Sequence, residues 1–235
     1  MNSQNQSLLN SHQPWSSEFW SGDLGLTLVT LSLILLIFVI TPLREAGLPG
    51  RLFLDLLMLT LMIFGTLSVR QSRVATAFVL ATVFVCATIL GIARIYPTLF
   101  LHEVGSLLST ITLLLYVRIV LLVMFRSGPI TWSRIQGGVC AYLLLGMAWA
   151  SLFQLIEQLL PGSFHFVTVP TSMDQLTSKL TYFSFGTLTT VGSDIVPVHP
   201  FARSLTTAEG IVGQLFPAIL IGALVAMAME SRSKS

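Results

Sequence analysis

The chain has 235 residues, of which 12 are Lys or Arg and 10 are Asp or Glu. Charged residues make up 9%, against about 25% in an ordinary soluble domain, while hydrophobic residues make up 54% and mean hydropathy is +0.84. Charge this sparse cannot cover a globular surface, which argues against a soluble enzyme. A net charge of +2 supplies no basic patch for a phosphate backbone, so no nucleic-acid partner is expected. The class expected is an all-α integral membrane protein, with the lipid bilayer as its solvent.

Taken in chain order, residues 1–23 are a polar tail without Lys or Arg, unlike a signal peptide with its basic start. Trp15 and the pair Phe19-Trp20 read as an interfacial anchor for the first apolar segment. Six apolar segments are long enough to cross a bilayer: Leu24–Ile40, Leu52–Val69, Val74–Ala93, Val104–Phe125, Ile135–Leu160 and Phe201–Met229. Short links between them carry Thr41-Pro42, Pro49-Gly50, Tyr96-Pro97 and Gly128-Pro129. Cys86 and Cys140 lie inside apolar runs and read as packing residues, not as a disulfide or metal ligands. With a cytoplasmic N-terminus, Arg70, Arg73, Arg126, Arg134, Arg232 and Lys234 fall inside, and Arg44, Arg51, Arg94, Lys179 and Arg203 outside. This narrow excess follows the positive-inside rule. The expected location is therefore a cell membrane (plasma or inner), crossed several times with both termini cytoplasmic.

The link between the fifth and sixth segments differs from the others. From Pro170 it reads PTSMDQLTSKLTYFSFGTLTTVGSDIVPVHP, moderately apolar but too broken to span. Thr171 and Ser172, with Asp174 and Gln175 three residues on from each, form a capping-box pattern that predicts a helix from about Met173 to Thr189. A short helix followed by an extended return makes a re-entrant loop, and irregular backbone at membrane depth must be buried in protein or line water. The inward end of such a helix carries the negative end of its dipole and favours a cation. An extended Thr-Val-Gly stretch can turn successive carbonyls toward one axis, and four copies would replace the hydration shell of a monovalent cation. Gly192 permits the left-handed backbone values this requires.

Thr189-Thr190-Val191-Gly192 followed by Asp194-Ile195-Val196-Pro197 resembles the potassium-channel signature, which in that family reads TTVGYGD or TTVGFGD. The resemblance covers about residues 135–229. It implies an outer helix, a pore helix, a filter and an inner helix, assembled as a homotetramer of six-span subunits. The implied filter is Thr189, Thr190, Val191, Gly192, Ser193 and Asp194, with potassium as the permeant ion and sodium as a second one. Tyr182 and Phe183 stand where the family places aromatic residues that support the filter. The family's gating-hinge glycine lies nineteen residues beyond the signature aspartate, which here is Gly213. The implied division is a tail (1–23), a four-helix domain of voltage-sensor type (24–126), a pore domain (127–229) and a short C-terminal tail (230–235). No cofactor or small-molecule substrate is implied.

The match has a gap. Between Gly192 and Asp194 stands only Ser193, where the family has an aromatic residue and a second glycine. The outermost carbonyl ring should be lost or rebuilt, so reduced potassium selectivity or a collapsed filter is expected. Gly186 occupies the position that in some family members carries a glutamate behind the filter, so no carboxylate pairs with Asp194 there.

Gating devices are sparse. The fourth segment, VGSLLSTITLLLYVRIVLLVMF, carries Arg118 alone, where a voltage sensor needs several charges that move through the field. Asp55 in the second segment lies near the opposite face. The short stretch after Met229 is expected to hold no ligand-binding module. The sixth segment has bending points at Gly210, Gly213, Pro217 and Gly222, where Pro217 should kink the helix. These positions read equally as a gate or as close-packing sites. Glu209 in the same segment reads as a hydrogen bond behind the pore helix in preference to a cavity-facing ion site. Glu157, beside Gln154 and Gln158, reads as wetted.

Rival classes fit less well. Gly192-Ser193-Asp194 is not an intramembrane serine-protease motif, and His102-Glu103 lacks the second histidine of HExxH. All four histidines (His12, His102, His165, His199) are expected outside the apolar cores. A transporter would repeat its broken helix in both halves, and no such repeat is visible. A non-conducting channel subunit remains as an alternative to a working pore.

Overall fold

Apolar runs must satisfy their own backbone groups, and helices do so within one segment. The computed structural model describes residues 27, 29–45, 84–85, 88–89, 91–92, 98–125 and 132–233. The second predicted span with Asp55, and the third apart from residues 84–85, 88–89 and 91–92, lie outside the described residues, as does Cys86.

The first helical stretch runs past its predicted end at Ile40. A π-helical turn over Leu36–Ile40 leads into α1 (Thr41–Glu45). The Thr41 N–H and hydroxyl both donate to the Leu36 carbonyl. This wider turn admits Pro42, which has no N–H to give and whose ring would crowd a regular α-turn. Thr41-Pro42 is therefore an accommodated site within a helix and not the boundary expected.

Next come α2 (Leu99–Met124) and α3 (Trp132–Leu159), the pair in most extensive contact among the described elements. Because α2 starts at Leu99, His102 and Glu103 belong to its first turns; the expectation that His102 lies outside the apolar segment fails, since Phe100–Leu122 is itself apolar enough to span. Leu33 and Ile37 of the first stretch, Leu113, Val117 and Val120 of α2, and Cys140, Leu144 and Ala148 of α3 share one buried core. Thr27 donates to Gln136 Oε1 at 2.8 Å, which sets the first helix beside the start of α3.

The remaining elements are β1 (Phe164–His165), α4 (Met173–Leu188), β2 (Val196–Pro197) and α5 (Pro200–Ser233). Among the described residues, three helical segments are long and apolar enough to cross a membrane: Phe100–Leu122, Arg134–Leu159 and Pro200–Met227. The chain is thus a mostly helical membrane protein. The exception is a minimal antiparallel ladder, Phe164 opposite Pro197 and His165 opposite Val196, which joins the chain before α4 to the chain after it.

Candidate functional site

The site is built around α4, whose 16 residues are too few to span. Its start is fixed locally. Ser172 is the N-cap and its hydroxyl accepts the Gln175 N–H, while Gln175 Oε1 accepts the N–H and hydroxyl of Thr171. The cap pattern in the sequence is thus realised, with the return bond made one residue ahead of the cap. Aromatic packing then fixes the C-terminal half of α4. Phe183 meets Phe153 and Phe164 edge-on, with centroids 5.2 and 5.3 Å away. Phe183 is therefore buried behind α4, whereas Tyr182 is 57% exposed and lines a cavity of about 220 Å³ with Phe166, Lys179, Asp194 and Ile195.

The chain before α4 is held by Glu157. Its carboxylate accepts the N–H groups of Gly162 at 2.9 Å and Phe164 at 3.0 Å. Glu157 is therefore a loop anchor and not a merely wetted side chain. Glu157→Ala should lower the stability of the purified protein by about 1–3 kcal/mol, because the buried Phe164 N–H is left without its acceptor. A thermal melt in detergent checks this, and an unchanged midpoint would refute the anchor role.

At its inner end α4 closes on Thr189, whose N–H donates to the Phe185 carbonyl. Thr190 is in the left-handed region at φ 60 and Gly192 at φ 86, so the return alternates into conformations that side chains disfavour. The Gly192 N–H donates to the Gly186 carbonyl at 3.0 Å. The Gly192 carbonyl oxygen also lies 2.6 Å from where a Cβ on Gly186 would stand, nearer than its carbon at 3.1 Å. Both polar groups of Gly192 are thus turned back onto α4. Gly186 is glycine because the returning backbone rests on it.

Ser193 makes the turn beyond Gly192, its hydroxyl accepting the Ile195 N–H at 3.2 Å. Val191 is 84% exposed, and Thr189, Thr190, Gly192 and Asp194 are exposed with it in the single chain.

Helices α3 and α5 grip the inner end of α4. The Tyr142 hydroxyl donates to the Leu188 carbonyl at 3.1 Å. A Cβ on Gly213 would overlap that same carbonyl oxygen and stand 2.8 Å from its carbon. Gly213 is therefore a close-packing position, whereas Gly210 and Gly222 have open space in this protomer. Pro217 lies inside an uninterrupted α5; four residues before it, the Gly213 carbonyl is the acceptor its missing N–H would have used.

Two contacts had weak sequence signals. Gln214 Nε2 donates to Thr190 Oγ1 at 3.1 Å, and Tyr142 reaches Leu188 across the helix pair. Both are polar side chains within apolar runs, a signal too common to single them out. Glu209 is fully buried on α5, with Oε1 2.5 Å from the Ser184 hydroxyl of α4. It lies against α4, with Oε1 bonded to Ser184 and Oε2 without a hydrogen-bond partner among the described residues.

A short helix, a strained return folded upon it and two long flanking helices make up this geometry, and residues 138–230 match the family model described as ion channel. This stretch is similar to an ion-channel domain. The match points to channel function and away from enzymatic activity. No curated protein and no solved structure matches the chain. The matched stretch runs from nearly two turns inside α3 to the last turn of α5, and so takes in every contact around α4 described above.

Proposed function

We propose that the chain is the subunit of a tetrameric, potassium-channel-like pore for monovalent cations, with weakened potassium selectivity and no steep response to voltage. The observation that carries this is the return of Thr190–Gly192 over the C-terminal end of a short capped helix, inside the segment that matches the ion-channel model. Four such ends around one axis would aim four negative helix-dipole ends at a permeating potassium or sodium ion. Assembly is supported by α5: only 6% of its spanning window is buried within the chain, against 50% for α3. Ile211, Leu215, Ile219 and Val225 are among its exposed apolar side chains, a surface suited to lipid and to neighbouring copies.

In this reading residues 24–126 are a peripheral four-helix domain and residues 127–229 the pore domain. Thr189 to Asp194 form the filter, Tyr182, Phe183 and Gly186 support it, and Gly210, Gly213 and Pro217 govern the inner helix. Six spans with both termini cytoplasmic complete the plan. Arg118 as the single charge of the fourth span supports voltage insensitivity.

One observation favours a second reading, a subunit that does not conduct. With both its polar groups turned toward Gly186, Gly192 withholds its carbonyl from the axis, so the filter has fewer ion sites than one more residue would allow. Reconstitution of the purified protein into liposomes separates the two. Potassium flux exceeding sodium flux by less than about tenfold is the expected result. Absence of flux for any monovalent cation favours the silent subunit, and strong selectivity over sodium, or several gating charges in a voltage ramp, overturns the proposal.

A further inference from the structure

We propose that Glu209 is a carboxylic acid that donates its proton to Ser184, and that this pair is the positioning element that sets the height of the pore helix between the outer and inner helices. Its effect on conduction rests on the channel reading above; the hydrogen count behind it does not.

Ser184 Oγ is fully buried and has two neighbours, the Gly146 carbonyl oxygen at 2.8 Å and Glu209 Oε1 at 2.5 Å. A serine hydroxyl has one proton to give, and a backbone carbonyl can only accept. The serine proton therefore goes to Gly146. The contact with Glu209 needs a second proton, and the carboxyl group is the only member of the pair that can hold it. A separate observation asks for the same proton. Glu209 Oε2 is buried without a hydrogen-bond partner among the described residues. Stranding one oxygen of an ionised carboxylate costs far more than stranding the carbonyl oxygen of a neutral acid.

The result is a directed chain across three elements: Glu209 of α5 donates to Ser184 of α4, which donates to Gly146 of α3. Tyr142 holds the last carbonyl of α4, and the two bonds of fixed direction at Ser184 hold its C-terminal half at the level of Gly146 and Glu209. Ser184 stands two residues before Gly186, on which Gly192 rests, so the height at which Ser184 is held is the height of the foot of the filter.

The test compares the wild-type chain with Glu209→Gln and Glu209→Leu, each purified and reconstituted in lipid. Infrared spectra at neutral pH should show a neutral-carboxyl stretch in wild type that is missing from Glu209→Gln. Its absence from wild type, or its persistence in the glutamine variant, overturns the proposal. Glutamine keeps the shape and a donor without charge, so its thermal midpoint and its potassium-to-sodium flux ratio should stay within about twofold of wild type. Glu209→Leu, without a donor, should lose the flux ratio at least about fivefold. A glutamine variant that fails to fold, or that behaves like the leucine variant, overturns the positioning role. If wild type carries no flux, the channel reading fails, and the infrared bands still decide the proton.

Discussion

Gly213→Ala should cost the protein about 2–4 kcal/mol and reduce cation flux more than tenfold. The added methyl group would overlap the Leu188 carbonyl oxygen and stand 2.8 Å from its carbon, and neither atom can rotate away because both are backbone. Either α5 retreats by roughly 1 Å or the end of α4 is pushed aside. Overpacking of this kind costs about 1–3 kcal/mol. The displacement also threatens the Tyr142 bond to the same carbonyl, worth about 1 kcal/mol. A thermal melt in detergent and liposome flux measure the two effects together. The pairing matters because Gly213 is also where the hinge of the inner helix is expected. Loss of a hinge would change opening while leaving the melt alone; loss of close packing moves both. An alanine variant with wild-type melt and flux would refute the packing argument.

Replacing Ser193 with the dipeptide Tyr-Gly should raise the potassium-to-sodium permeability ratio at least about tenfold, equivalent to about 1.4 kcal/mol of discrimination. In the natural chain the return is short. The Gly192 N–H is spent on Gly186, its carbonyl rests on the same residue, and Ser193 at once turns the chain by accepting the Ile195 N–H. One further residue adds about 3.3 Å of extended backbone, enough to free the Gly192 carbonyl and add a ring of oxygens to the axis. The second glycine supplies the backbone freedom such a strand needs. Flux of potassium and sodium in parallel liposome samples reads the ratio directly. An unchanged ratio would mean that the missing residue is not what limits discrimination.

What could be read from the sequence was what local chemistry decides. A short helix was expected at Met173 to Thr189 and is found at Met173–Leu188, because a cap and its reciprocal glutamine lie within four residues of each other. The long apolar helices followed from composition, although α2 begins at Leu99 and not at Val104, since His102 and Glu103 are tolerated in first turns. Pro42 misled as a boundary because a π-turn, which leaves no mark in composition, absorbs it. The direction of the Gly192 carbonyl was beyond sequence reasoning, for a φ near +86 permits either facing and only contact with Gly186 selects one. Glu157 was similarly opaque. Its two partners belong to a loop whose return path is set by the pairing of Phe164 with Pro197, on the far side of α4 in sequence.

That small ladder has a mechanical consequence. By pairing Phe164 with Pro197 and His165 with Val196, and by giving the Ser163 carbonyl to the N–H groups of Val198 and His199, it ties the loop at its neck. Everything from the approach to α4 through the turn at Ser193 hangs inside a closed noose, with the start of α5 on the knot. A displacement of the start of α5 is therefore shared by both strands of the noose. Motion in the middle of α5 reaches the return at Thr190 by another route, where Gly213 bears on Leu188 and Gln214 holds Thr190.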